Sequence, residues 1–406
     1  MSASDLIVII GAGLAGVSAA AAMREAGHDG PIVLLSDEKH TPYDRPPLSK
    51  AILKEQVEIR DISLKPAAWY AENDIELMLG TAASRIDPAK HEVLLDDGTR
   101  LGYHKLLLTT GSEVRHIPAL ETGAIPFFYL RTDLDAIALR SELEPGKHVV
   151  LVGAGVIGLE VAASAVERGC AVTVLEIADR VMARSVPPDM SAWVQAKHES
   201  HGVVFRCLEQ VTGFGERAGK HGLTMASGEL IEADFVVIGA GVVPATELAR
   251  ESGLECGDGV TVNEFGETSA EDVYAAGDVA WYPDYWAGKH MRSENWFHAE
   301  KHARCVANNM LGNRHAYHEV QTMWSDQFDF KLQIAGTLEG DARVSRGDPD
   351  SDHFMVFFLR EGAVVGAMGI NQAKYMRIVQ DLIRTGKLVD PKALADPAVN
   401  LKKVIL

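Results

Sequence analysis

Cysteine is scarce in this 406-residue chain, and the four thiols, Cys170, Cys207, Cys256 and Cys305, are scattered. There is no C-x-x-C. A dithiol redox motif, a disulfide framework and a thiolate metal site are therefore excluded, leaving reduced structural thiols in a cytoplasmic protein. Positive charge is also in short supply: 39 Lys and Arg stand against 57 Asp and Glu, a formal charge of −18. Binding nucleic acid or a membrane surface needs clustered cations, so neither role is expected. The one long apolar run, Leu6 to Met23, is interrupted by three glycines and lacks a basic leader. It reads as neither signal peptide nor membrane span. The remaining composition, 47% apolar and 24% charged, is that of a globular protein, and the length suggests two or three domains.

What the chain does have is an internal echo. DLIVIIGAGLAGVSAAAAMREAG from Asp5 returns as KHVVLVGAGVIGLEVAASAVERG from Lys147. Each copy opens with β-branched residues that read as a buried strand, breaks at G-x-G-x-x-G, and continues as an Ala-rich helix closed by Gly27 or Gly169. A second apolar strand follows, PIVLLSD or AVTVLE, ending in acid at Asp37 and Glu176. Strand, glycine turn, helix, strand and acid in that order form the dinucleotide fingerprint. Gly11 and Gly153 serve the tight turn, Gly13 and Gly155 the approach to a pyrophosphate, and Gly16 and Gly158 the packing of helix on strand. The helix N-terminus supplies partial positive charge to the phosphates, and the acid accepts from ribose hydroxyls. Two such devices in one chain suggest a flavin site and a nicotinamide site.

The flanks are informative. Asp97-Gly98 and Ser227-Gly228 are hairpin turn signals, one after each copy. KLLLTTGS ends a strand at Thr110 and Gly111, and Thr268 precedes Ala276-Gly277-Asp278. Between the first copy and that strand lies PYDRPPLSK, Pro42 to Lys50, where three prolines fix φ and remove donors. That stretch is a stiffened loop carrying charge, neither helix interior nor central strand. RSENWFHAEKHARCVANNML reads as a helix with a polar start at Ser293, Glu294 and Asn295. From about Thr322 the pattern changes to strands, a hairpin turning at Glu361-Gly362, and a closing helix.

As a set, PYDRPPLSK, FYLRT, VGAGVIGLEVA, AAGD, SENWFHAEKHA and MWSDQ resemble the oxygenase-coupled NADH-dependent ferredoxin reductases, within the glutathione-reductase superfamily of flavoproteins. The resemblance covers essentially the whole chain. It implies an α/β protein with two nested Rossmann-like dinucleotide-binding domains, for FAD and NAD, plus a C-terminal α/β interface domain. The FAD domain would be discontinuous, 1–119 and 245–321, with the NAD domain at 120–244 and the interface domain at 322–406.

The resemblance also implies roles for individual residues. FAD would be held by Gly11, Gly13, Leu14, Ala15, Gly16, Asp37, Arg45, Lys50, Ala82, Thr110, Gly111, Arg131, Gly277, Asp278 and Trp296. NAD would be held by Gly153, Gly155, Val156, Ile157, Gly158, Glu160, Glu176, Arg184 and Gly241. Lys50 would stand beside the flavin and compensate charge on its reduction, and a Lys50–Glu160 pair would gate the face where the nicotinamide stacks. The helix starting near Trp296 would aim its dipole at the flavin pyrimidine ring, and Trp296 would contact the isoalloxazine.

The activity implied is transfer of a hydride from NADH to FAD, then of single electrons to a separate [2Fe–2S] ferredoxin. That ferredoxin would serve a ring-hydroxylating dioxygenase or a cytochrome P450. On an acidic body, docking would rest on a local basic patch drawn from Arg292, Lys301 and Arg304 and from Lys374, Arg377, Arg384 and Lys387. The chain would act as a monomer or weak homodimer. Two alternatives stay open: a redox-sensing flavoprotein of the apoptosis-inducing-factor type, and an NADH-dependent reductase of a quinone or monodehydroascorbate.

Overall fold

In the computed structural model, residues 5–123 and 125–406 are described. The chain divides into two compact units. Unit 1 gathers Met1–Asp44, Ile62–Glu113 and Val243–Met323; unit 2 gathers Arg45–Asp61, Val114–Val242 and Trp324–Leu406.

Unit 1 is organised on a five-stranded parallel sheet. Its order runs Val273–Ala275, Lys105–Leu108, Ile7–Ile10, Ile32–Leu35, Ile75–Met78. The central strand Ile7–Ile10 is apolar at every position because both faces are covered. Ile7 and Ile9 pack in one cluster with the helix Leu14–Glu25, while Val8 and Ile10 pack in another with Ile86, Val93 and Tyr282. The Leu14–Glu25 helix buries Ala19, Ala20 and Ala22 in the same cluster as Ala303, Val306 and Ala307 of the helix Trp296–Met310. Side chains this small let two helix backbones come close, which explains the alanine run.

Unit 2 repeats the parallel plan, in the order Val204–Cys207, Ala171–Glu176, His148–Val152, Phe235–Ile238, Phe127–Phe128. Its C-terminal part is a five-stranded sheet in the order Thr322–Gln327, Phe330–Gly336, Ala363–Ile370, Phe354–Arg360, Ala342–Gly347. The hairpin between the Phe354 and Ala363 strands turns on Glu361 and Gly362, both at positive φ (51° and 80°), the two-residue turn whose twist suits paired strands. The helix Met376–Thr385 stops at Gly386 in the left-handed conformation.

The proline-rich stretch is more ordered than a loop. Pro46–Ser49 forms a short 3-10 helix with Pro46 and Pro47 in its first turn, where a missing N–H costs nothing. It groups with unit 2 because Ser49 and Lys50 are tied to the helix Val156–Glu167, as described next.

Candidate active site

The two glycine turns are built alike. At Gly11 φ is +105° and a Cβ would lie 2.3 Å from the Thr109 carbonyl oxygen; at Gly153 φ is +108° and a Cβ would lie 2.4 Å from the Gly239 carbonyl oxygen. A Cβ on Gly16 or Gly158 would fall 2.0 or 2.3 Å from the carbonyl oxygen of Gly11 or Gly153. The middle glycines differ: a Cβ on Gly13 or Gly155 would meet nothing within 4 Å. Each is the N-cap of a 12-residue helix, and no side chain caps either end. Uncapped first-turn amides over open space, at the positive end of a helix, form a cradle for a pyrophosphate. Both cradles therefore fit a dinucleotide, with Leu14 and Ala15 opening the first helix and Val156 and Ile157 the second.

In unit 1 the Gly11 turn is clamped by Thr109, whose buried hydroxyl lies 3.0 Å from the Ile10 carbonyl and 2.8 Å from that of Gly11. Thr110 donates to the Ala245 carbonyl at 2.8 Å. Gly277, at φ +76°, comes so near the first cradle that a Cβ there would lie 2.9 Å from the Cβ of Ala15, which sets Asp278 close to that helix start. Asn295 caps the Trp296–Met310 helix by accepting from the His298 amide at 2.8 Å, and Trp296 donates its indole N–H to Asp44 at 2.7 Å. Ala82 accepts from the Asp96 amide at 3.0 Å. Asp37 is exposed one residue beyond the position matching Glu176: Ile10 pairs with Leu35 as Val152 pairs with Leu175, so Ser36 occupies the equivalent place.

In unit 2 the Glu176 carboxylate is held at both oxygens, accepting from Ala154 N at 2.7 Å and Ala178 N at 2.8 Å. Arg180 spends its guanidinium on the carbonyls of Ala183 and Val186. Arg184 lies against Gly241, where a Cβ would stand 3.4 Å from its Nη2. Arg45 donates to the Arg131 carbonyl at 2.6 Å, while the Arg131 amide donates to Asp135 at 2.9 Å.

The most elaborate polar arrangement surrounds Glu160, which is 2% exposed on the second cradle's helix. Its Oε2 accepts from Lys50 Nζ at 3.0 Å and from Ser49 Oγ at 2.5 Å; its Oε1 accepts from Ser325 Oγ at 2.7 Å. One helical turn on, Ser164 donates to the Ser49 carbonyl at 2.7 Å, clipping the proline-rich segment to the helix a second time. A buried carboxylate is tolerated here because an ammonium and two hydroxyls replace its water. The sequence marks only the stretches that hold these residues, TTG for Thr109, LSK for Ser49, the second fingerprint helix for Ser164 and WSDQ for Ser325, and not the four side chains themselves.

The four cysteines are free. Burial pushes every thiol up, Cys305 to about 11, so none is held as a reactive thiolate. Among the sequence-derived docking cations, Arg304 pairs with Glu25, Lys301 with Glu319 at 3.0 Å, and Arg292, largely covered, with Glu294 and Asp258. Lys374 and Arg377 are exposed, the former with its ammonium 4.9 Å from the Tyr375 ring centre. Among the described residues no cluster could hold a metal ion, and no helix is long and apolar enough to cross a membrane.

Known proteins share this fold. Residues 5–303 match the family described as pyridine nucleotide-disulphide oxidoreductase, and residues 322–405 match a reductase C-terminal domain. The anthranilate 1,2-dioxygenase system ferredoxin–NAD(+) reductase component of Burkholderia cepacia is 39% identical, over 98% of this chain and 99% of its own. The p-cumate 2,3-dioxygenase system reductase component of Pseudomonas putida is 37% identical, over 98% and 97%. Putidaredoxin reductase, solved in a covalent complex with putidaredoxin, superposes with a TM-score of 0.94 at 34% identity, covering 99% of this chain and 98% of that one. With its two glycine cradles and its C-terminal sheet, the chain belongs to the pyridine nucleotide-disulphide oxidoreductase family and, within it, is similar over its whole length to the ferredoxin–NAD(+) reductases of oxygenase systems.

Proposed function

We propose that this protein is a cytoplasmic, FAD-dependent NADH:ferredoxin reductase whose acceptor is a separate [2Fe–2S] ferredoxin supplying an oxygenase. One observation carries the reading: two open dinucleotide cradles occur in a chain whose four thiols are all unpaired and pushed up. A family member that reduced a disulfide through its own dithiol would need two adjacent cysteines, and a one-electron protein acceptor needs none. When bound, FAD supplies the chemistry of accepting two electrons as hydride and passing them on singly.

The chain's own residues bind and orient. Gly13, with Asp278 beside the same helix start, cradles the flavin nucleotide; Gly155 and Glu176 cradle NADH. Glu160 lies just over one turn beyond Gly155 on the same helix and fixes the Lys50 ammonium. That pair orients the nicotinamide end of the nucleotide.

NADH is expected to outperform NADPH by about a hundredfold in kcat/KM, because a 2′-phosphate would meet the fixed carboxylate of Glu176 at a cost of several kcal/mol. Arg180, committed to two carbonyls, is not placed to offset it. Equal kcat/KM values for the two nucleotides would remove Glu176 from the ribose site.

The test of function is steady-state NADH oxidation with a purified [2Fe–2S] ferredoxin against ferricyanide or a quinone. Turnover with ferredoxin that saturates at micromolar concentration supports the proposal; turnover with the quinone alone makes the protein a small-molecule reductase. For docking we place Arg304 on the ferredoxin face, where its charge is shared with Glu25. Arg304→Glu should raise the ferredoxin KM and Glu25→Gln should lower it, each by about two- to fivefold, the range of exposed ion pairs. Both effects should shrink as salt rises. No change in either variant would move the docking face elsewhere.

A further inference from the structure

Glu160 is the end of a longer line of buried polar side chains. Ser325 Oγ, 2.7 Å from Glu160 Oε1, lies 2.9 Å from Gln327 Nε2, and Gln327 Oε1 lies 2.7 Å from His198 Nε2. All three are essentially shut off from solvent: Ser325 0%, Gln327 1% and His198 0% exposed. The line crosses three elements of unit 2: the Val156–Glu167 helix, the Thr322–Gln327 strand and the Pro188–Ser200 helix.

Its polarity admits one solution. A carboxylate only accepts, so Ser325 must donate its single proton to Glu160. Ser325 is then left to accept, which turns the Gln327 amide group toward it and the Gln327 carbonyl toward His198. His198 must donate from Nε2, so its Nδ1 carries the lone pair, and that atom has no partner among the described residues. The rings of Phe205, Phe328 and Phe330 enclose the imidazole, and burial lowers its pKa to about 4, so it stays neutral.

We propose that Ser325, Gln327 and His198 are positioning residues for NADH oxidation: they pin Glu160 Oε1 so that Oε2 is turned to Lys50 in the orientation that aligns the nicotinamide. The geometry favours this over a packing role. If filling space were all it did, the whole line could be built from apolar side chains of similar size at little expense in stability, whereas a line of donors and acceptors ending on a carboxylate fixes that carboxylate's orientation. The inference rests on the assignment of Glu160 to the nicotinamide end of the site.

The experiment compares Ser325→Ala, Ser325→Thr, Gln327→Leu and Glu160→Gln as FAD-loaded proteins. Ser325→Ala should slow anaerobic reduction at saturating NADH by about tenfold, as expected for loss of a hydrogen bond to a charged group, and Gln327→Leu, which reaches Glu160 only through the Ser325 hydroxyl, by about threefold. NAD+ affinity, measured by equilibrium titration, should change much less, and Ser325→Thr, which keeps the hydroxyl, should reduce at the wild-type rate. Nitrogen NMR of the histidines should show His198 protonated at Nε2 alone in the wild type, independently of turnover. If Ser325→Ala and Gln327→Leu reduce normally while Glu160→Gln is slow, the positioning role is overturned and the assignment of Glu160 survives. Normal reduction in Glu160→Gln overturns both. A wild-type His198 protonated at Nδ1 overturns the line itself.

Discussion

Gly155→Val is expected to fold, to keep its FAD, and to lose NADH. The position is extended (φ −77°, ψ −179°), a conformation valine adopts readily, and nothing stands within 4 Å of where its Cβ would go. The open space is where we place the pyrophosphate, so branched methyls there collide with ligand and not with protein. We expect the KM for NADH to rise about a hundredfold, roughly 3 kcal/mol, within the range for overpacking a close contact. The loss of stability should be about 1 kcal/mol, the amount that separates valine from glycine at a helix N-cap. Gly153→Ala, two residues earlier, should do the reverse. Its Cβ would sit 2.4 Å from the Gly239 carbonyl oxygen at a φ of +108°, so the strand-to-helix turn itself must give, at about 2–5 kcal/mol. Thermal melts and NADH titrations of the two variants distinguish ligand space from backbone space. An unchanged NADH KM in Gly155→Val would show that the second cradle holds no nucleotide.

Acid should destabilise this protein unusually early, between pH 6.5 and 5. His198 in unit 2 and His298 and His302 in unit 1 are at most 2% exposed. Burial lowers all three, His198 to about 4, His302 to about 3, and His298 well below its ordinary value, where the neighbouring His302 adds to the effect. Each has its folded pKa below the unfolded one, near 6.5. The stabilisation is thus complete above about pH 6.5 and is withdrawn as pH falls from there toward 3–4, because only the unfolded chain takes up the proton. Each histidine contributes a slope of about 1.4 kcal/mol per pH unit in that window. At pH 5 the two in unit 1 together remove roughly 4 kcal/mol. Carboxylates held low by partners, such as Glu229 beside Arg206, act on stability only nearer pH 4.5 and below, so the upper window belongs to the histidines. Thermal midpoints at pH 7.5, 6.0 and 5.0 should fall steeply, and His302→Gln should flatten the curve while lowering its plateau. A midpoint indifferent to pH between 7 and 5 would mean that these rings gain protons in the folded protein.

Two of these predictions come from features of different legibility. The cradles were readable because everything that makes them is local: β-branched run, glycine turn and alanine helix follow one another within some twenty residues, and the contacts they dictate, such as Gly16 on Gly11, are a few residues apart. The repetition of that pattern after Lys147, and the lack of paired cysteines, carried the class of chemistry with no structure at all. The resemblance named Lys50 and Glu160 but was silent on what surrounds them. Ser49 and Ser325 are 111 and 165 residues from Glu160, Arg304 is 279 residues from the Glu25 that pairs with it, and none of these separations has a period. Hydrophobic periodicity reports which face of an element is buried; it does not report which distant polar group is buried with it. Sequence alone therefore determined the two glycine turns, each opening an alanine-rich helix, and the absence of adjacent cysteines. Only tertiary packing decided which carboxylate is held in the dark by an ammonium and two hydroxyls, which histidines are denied their proton, and which surface cations are already paired, because each depends on long-range contacts that desolvate a group and choose its partner at the same time.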